Sequence, residues 1–320
     1  MAYGCAAPPC ACSGRASPRE NVASRPRPCS RAARRHGTAV RRVKALDSWA
    51  EMMGAFGPMD LELRDKVAVV SGGSRGIGRS IARSLALEGC DCLIASRTAA
   101  DLQATAETIS AESGRRIETC PADLRTVDGC EKVHGAIERS FGRLDILINN
   151  AGATKRGKFL ELDDATWEDG FALKFYACVR LSRLFWPMLT ASKGVVANVI
   201  GGAARTPARE FMIGGSVNSA MANFTKALAD QGLQDDVNVN AVYPGLTQTD
   251  RANERFRAAA QAEGVSLEEV RERTRLAEGV RRIGLPEDVG DLVAYLCSPK
   301  ARHVHGTAVG VDGGSTAGLH

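Results

Sequence analysis

The sequence predicts an α/β fold, a Rossmann-type doubly wound parallel sheet with helices on both faces, formed by a single domain. Three observations carry this. From residue 66 onward, short apolar runs alternate with stretches of helical length, the pattern of βαβ units joined by right-handed crossovers. The string Ser71-Gly72-Gly73-Ser74-Arg75-Gly76-Ile77-Gly78 follows the first of those runs directly. With 320 residues, the chain is long enough to cover a sheet on both faces and still carry an appendage.

In order, residues 66–70 read as a buried strand and 76–88 as the helix after it. Residues 92–95 form the next strand and 99–110 the next helix, followed by a strand at 117–120, a helix near 129–140 and the strongly apolar strand 144–148. A long helix covers about 164–189, and 195–200 is another buried run. Residues 216–231 are helical, with Val217, Met221, Phe224 and Leu228 on one stripe. Strands at 237–242 and 308–311 close the set. The charged stretch 248–283 has a turn at Gly264-Val265-Ser266 and a helix starting near Leu267. The domain is bounded at 64–316, with a lid at 248–283, a linker or short helix at 47–63 and a tail at 317–320.

The formal charge of +5 is unevenly spread. Residues 1–46 hold nine arginines, one lysine and a single acid, Glu20, so the remainder is net −4. This segment is rich in Ala, Ser, Pro and Arg, and has no apolar run long enough for a signal core or a membrane span. An organellar transit peptide is expected, removed near Arg41-Arg42-Val43-Lys44-Ala45. The uncharged start and the prolines favour the plastid stroma, with the mitochondrial matrix as the alternative. No aromatics interleave the arginines, which argues against a nucleic-acid partner. Cys90 and Cys92 form a C-x-C pair that no second pair or nearby histidine completes into a zinc set. No metal is expected, and the cysteines of the folded part read as free thiols.

Because the glycine string follows a strand and opens a helix, it has the context of a dinucleotide cradle. Gly72, Gly76 and Gly78 let the backbone turn tightly and approach a pyrophosphate, while the helix N-terminus offers free N–H groups to the anion. Ser71, Ser74, Arg75 and Ile77 complete the loop. The second strand ends Ala95-Ser96-Arg97, without the acid that would accept hydrogen bonds from a ribose 2′-hydroxyl. Arg97 suits a 2′-phosphate and Arg75 adds a second cation, so NADP(H) is expected over NAD(H).

With these residues in place, the chain resembles the short-chain dehydrogenase/reductase family over about residues 59–316. Asp123-Leu124 is similar to the family's adenine contact. Asn149-Asn150-Ala151-Gly152 resembles its fourth-strand motif, which shapes the floor of the cofactor site. Asn240-Ala241-Val242-Tyr243-Pro244-Gly245 with Thr249 resembles the loop that engages the nicotinamide amide, and Pro286-Glu287-Asp288 and Val311-Asp312-Gly313-Gly314 match its C-terminal blocks. The resemblance implies a small-molecule substrate and a homodimer or homotetramer.

The resemblance also implies a catalytic Asn, Ser and Tyr-x-x-x-Lys. Yet there is no tyrosine from Ala177 to Val242. Anchoring on Thr225-Lys226-Ala227-Leu228 puts the tyrosine place at Gly214 and the lysine place at Asn218. The serine place, after Asn198-Val199-Ile200, falls on Gly201, and the asparagine place, counted from Trp167, on Lys174. An amine and an amide have thus changed helices. Lys174 is expected to reach the cofactor ribose or a proton-relay water, with Asn218 opposite it. Gly201 and Gly214 are expected to open space above the nicotinamide. In the loop between them, Glu210 becomes an acid/base candidate if burial raises its pKa, and Arg205 a grip for an anionic substrate. Ser216 and Thr206 are candidates to orient a carbonyl, and Lys155 and Arg156 could face the same cleft. The arginines of the lid suit an anionic or acyl-carrier-linked substrate, although its interspersed glutamates equally suit a solvated surface. The expected function is an NADP(H)-dependent oxidoreductase acting on a carbonyl or related group by a non-standard proton-transfer set. The alternative is a catalytically silent NADP(H)-binding sensor or assembly subunit.

Overall fold

In the computed structural model, which describes residues 59–317, seven strands run parallel in the order β3-β2-β1-β4-β5-β6-β7. They are β1 (Val67–Ser71), β2 (Asp91–Ser96), β3 (Ile117–Pro121), β4 (Ile146–Asn149), β5 (Val195–Val199), β6 (Asn238–Pro244) and β7 (Ala308–Val311). Between them lie α1 (Gly76–Leu87), α2 (Ala99–Ser113), α3 (Val127–Ser140), α4 (Asp164–Phe171), a π-helical turn (Ala172–Tyr176), α5 (Ala177–Ser192) and α6 (Met212–Asp235). After β6 come α7 (Asp250–Glu263), α8 (Leu267–Ala277) and α9 (Pro286–Cys297). Strand order reverses between β1 and β4, which makes the crevice beyond their carboxyl ends the switch point where such sheets take ligands.

Alternate residues of the strands face opposite ways, and the core divides accordingly. Ala68, Val70, Ile94, Ile146 and Ile148 pack against Ile81 and Leu85 of α1, Leu102 of α2, and Val289 and Val293 of α9. Val69, Leu93, Leu147 and Val196 pack against Val133 and Ile137 of α3 and Leu181 and Phe185 of α5. Burial on both faces is why the central strands read as unbroken apolar runs. Four helices are capped by short polar side chains: Thr126, Asp163, Thr249 and Ser266 each accept a backbone N–H of the turn they open.

Several elements depart from the sequence reading. The helix expected over 164–189 is interrupted by the π-helical turn around Lys174, and continues to Ser192. The helix expected from residue 216 begins at Met212, because Gly214 and Gly215, poor helix formers in isolation, are fully buried there. Helices α7 and α9 were not anticipated. The arginine-rich segment 248–283 holds an ordered pair of helices with its own small core of Phe256, Ala260 and Val270. All six cysteines among the described residues are free and buried, and burial pushes the Cys90 thiol up to about 12. No helix among the described residues is long and apolar enough to cross a membrane. The transit-peptide segment 1–46 and most of the linker lie outside the described residues.

Candidate active site

The glycine turn is held in shape by the strand ends around it. Gly72 and Gly76 have φ of +68° and +57°, a region side-chain-bearing residues rarely adopt. At Gly78 a Cβ would stand 2.2 Å from the Gly72 carbonyl oxygen and 2.4 Å from Asn150 Nδ2. Ser71 Oγ donates to the Ile148 carbonyl (3.0 Å) and accepts from the Asn150 and Ala151 N–H groups (2.9 and 3.1 Å). Asn150 Nδ2 donates to the carbonyls of Ser71 (3.0 Å) and Gly72 (3.2 Å). Ser71 and Asn150 therefore join β1 to β4 at the switch point and set the floor of the cradle. Thr105 Oγ1 fixes the outer limb by donating to the Ser74 carbonyl (2.8 Å). Gly78→Ala is expected to weaken binding of a nicotinamide dinucleotide by at least about tenfold, because the turn must open to admit the methyl group; fluorescence titration of the variant checks this.

These features fit a nicotinamide dinucleotide. The cradle is too narrow for side chains, and α1 presents its first N–H groups to it. Ser96 Oγ at the end of β2 is buried without a partner, while Arg75 and Arg97 are exposed on either side. Ile77 is half-buried, packed against the core. Asp123 is exposed at the mouth beyond β3, its carboxylate accepting the Arg125 N–H (3.1 Å). Leu124, by contrast, points into the core, so its side chain only anchors Asp123. Gly245, after Pro244, owes its identity to the C-terminal segment, since a Cβ there would lie 2.6 Å from Asp312 Cβ. Thr249 spends its hydroxyl capping α7 and turns its methyl toward Gly76, 3.4 Å from the position of a Cβ there. It thereby closes the side of the cradle opposite Asn150.

At the other end of the cleft, Lys174 leaves the π-helical turn and its Nζ donates to the Ile200 carbonyl at 2.7 Å. Its stem lies on Gly152, where a Cβ would be 2.9 Å from Lys174 Cδ. Such π insertions re-aim a side chain and recur at functional sites. Burial, and secondarily the positive charge of Arg251, lower the amine to about 8, with Cys178 opposing. Asn218, 3 % exposed, approaches from α6. Its Nδ2 would be 3.0 Å from a Cβ on Gly201, and its Oδ1 is buried with no partner. The amine and the amide thus converge on the end of β5, and the unpartnered oxygen marks a position for a ligand or water group.

Other expectations need correction. Gly214 does not open space: a Cβ on it would stand 2.1 Å from Phe211 Cζ, so the Phe211 ring already fills that volume. Glu210 is exposed and lacks the burial an acid/base role required. Its backbone carbonyl accepts the Gly157 N–H at 3.1 Å, tying two loops together. Ser216 is exposed and lies about 200° round the helix from Asn218. Together with Phe159, Trp167, Phe211 and Met212 it lines a cleft of about 550 Å³. Arg205 stacks 4.6 Å over the Tyr243 ring, which is compatible with the anion grip expected of it, and Thr206 bonds back to the Gly202 carbonyl (3.1 Å). Phe211 was missed. Its signal was an aromatic three residues before a glycine at a helix start, the spacing that brings two positions onto one helix face.

A doubly wound parallel sheet with a glycine cradle at its switch point defines a nucleotide-dependent α/β enzyme class. Residues 66–260 match the short chain dehydrogenase family, and the chain belongs to that family. It is 36 % identical over 256 residues to an uncharacterized oxidoreductase of Mycobacterium tuberculosis, covering 79 % of this chain and 93 % of the relative. It is 30 % identical to the 2,3-dihydro-2,3-dihydroxybenzoate dehydrogenase of Bacillus subtilis, over 80 % of this chain and 98 % of that one. Among solved structures it is similar to the L-sorbose reductase of Gluconobacter frateurii in complex with NADPH and L-sorbose. That likeness has a TM-score of 0.80 and 29 % identity, and covers 82 % of this chain and 100 % of that one. The protein is accordingly an oxidoreductase of the short-chain dehydrogenase type.

Proposed function

We propose that this protein is an NADP(H)-dependent reductase of a small carbonyl compound, in which Lys174 takes the proton-transfer role that a tyrosine holds in the family pattern. The carrying observation is the Lys174 amine, brought to about 8 and fixed by its 2.7 Å hydrogen bond at the end of β5. An amine so poised can give up a proton near neutral pH. The nicotinamide, when bound, supplies the hydride. Arg75, Arg97 and Ser96 are the groups for a 2′-phosphate, and the NADPH complex of the sorbose reductase supports that cofactor. As the substrate carbonyl oxygen becomes negative, the Lys174 ammonium gives it a proton, directly or through a water, and remains as the neutral amine until solvent reprotonates it. Asn218, whose amide fills the space that a side chain on Gly201 would need, offers that amide to orient that oxygen or water. The Ile200 carbonyl holds the amine in place throughout.

The test is anaerobic mixing of the full-length protein with NADPH and a panel of carbonyl compounds, following nicotinamide fluorescence and absorbance. Binding with turnover is expected, and NADPH is expected to bind at least about tenfold tighter than NADH, as arginine pairing to a 2′-phosphate gives. Tight binding without turnover across the panel would sink the reductase reading. Equal affinity for both cofactors would sink the NADP(H) assignment.

A further inference from the structure

We infer that the substrate carries a carboxylate or phosphate group, held at the outer edge of the site by Arg156 and Arg255 while its carbonyl lies toward Lys174. This rests on the reductase reading above. The Arg156 guanidinium lies 4.3 Å over the centre of the Phe211 ring, the same ring whose tip covers Gly214 on α6. It is therefore fixed beside the reaction end of the cleft, and the Gly157–Glu210 backbone bond fixes the loop that carries it. Across the cleft, Arg251 Nη2 donates to the Gly152 carbonyl at 3.4 Å, on the residue that supports the Lys174 stem.

These cations are close enough to weaken one another's charge. Burial, then the charge of Arg255, lowers Arg156 below the usual guanidinium range. Burial, then Arg75, with Arg255 also contributing, lowers Arg251. Arg251 and Arg255 stand one turn apart on the same face of α7, with the Arg251 guanidinium at the Gly152 carbonyl, and the charge of Arg255 is felt at both Arg251 and Arg156. Glu210 and Glu278 oppose the shift of Arg156, and Glu254 that of Arg251. None of the three carboxylates forms an ion pair with Arg156, Arg251 or Arg255 among the described residues. Elsewhere in the lid segment, Arg271, Arg273, Arg275 and Arg282 each have a carboxylate within 4.0 Å. Like charges gathered in a cleft focus the field onto an anion. The cofactor's own phosphates answer the Arg75 end. The Arg156–Arg255 end is left for the substrate, and a planar guanidinium stacked on an aromatic face is preorganised for carboxylate or phosphate.

The full-length protein is assayed with NADPH against small oxo acids and dihydroxyacetone phosphate, each beside an uncharged ketone or methyl ester of matched size. Anionic substrates are expected to exceed their neutral counterparts in kcat/KM by at least about tenfold, as for one charge-assisted hydrogen bond. Preference for the oxo acids identifies a carboxylate, and preference for the phosphorylated ketone a phosphate. In the Arg156→Gln/Arg255→Gln variant that ratio falls toward one through KM, with NADPH affinity retained. Equal kcat/KM for charged and neutral compounds, or a ratio unchanged in the variant, overturns the inference. If no carbonyl compound turns over, the reductase reading has failed. The anion site is then judged by thermal unfolding with saturating NADPH and added oxalate or inorganic phosphate. A rise in Tm that the variant loses supports the site, and no rise overturns it.

Discussion

Replacing Lys174 by methionine is expected to lower kcat for carbonyl reduction by about 10²–10⁴-fold, the usual loss on removing a positioned general acid, with NADPH affinity nearly unchanged. The pH dependence separates this from a merely structural role. With the amine at about 8, the protonated donor predominates below that pH. In the wild type kcat for reduction should be level below about 8 and fall about tenfold per unit above it, one proton being lost. The reverse oxidation should rise toward the same value and then level off. Lys174→Arg keeps a cation that does not titrate in this range, so whatever activity it retains should lack the decline. Stability gives an independent readout. Because the folded-state value lies below the roughly 10.4 of an unfolded lysine, the unfolded chain binds more protons between about 8 and 10.4. Stability should therefore rise with pH through that window, and the cost of the buried charge is fully present below it. Lys174→Met should remove this rise without lowering Tm at pH 7. A variant that loses activity together with Tm at pH 7 would point to a packing role for the stem.

The parts of the fold that were legible in the sequence are those set by local chemistry. Burial of β1, β4 and β5 on both faces leaves unbroken apolar runs that can be read directly, and Gly72, Gly76 and Gly78 announce a turn that only glycine can make. What was illegible depends on contacts between distant positions. Glu210 looked like a candidate acid because a loop residue near a catalytic place can be buried or exposed, and sequence does not say which. The π-helical turn around Lys174 leaves no mark in residue types, yet it decides that the amine meets the Ile200 carbonyl rather than solvent. Helix α9 read only as a family block, though Val289 and Val293 hold one face of the sheet. Gly214 looked like an erased side chain and an open volume. It is instead the floor on which Phe211 rests.

That last contact makes a second large effect testable. Restoring the family pattern with Gly214→Tyr and Asn218→Lys is expected to lower Tm, because the new Cβ would overlap Phe211 Cζ at 2.1 Å and the ring must swing out of its place. Overpacking of this kind costs about 1–3 kcal/mol or more, and here the α6 N-terminus and the Arg156 stack would move as well. Adding Phe211→Ala removes the overlapping ring. The triple variant should recover most of the lost Tm, bind NADPH, and reduce neutral ketones with a pH profile set by the new tyrosine–lysine pair. It should also bind anionic substrates less well, because Arg156 no longer has a ring to lie on. If the double variant proves as stable as the wild type, the Phe211 ring is not anchored on Gly214. If the triple variant folds but its activity still follows the Lys174 profile, the proton path runs from the π-helical turn to the substrate whatever occupies α6.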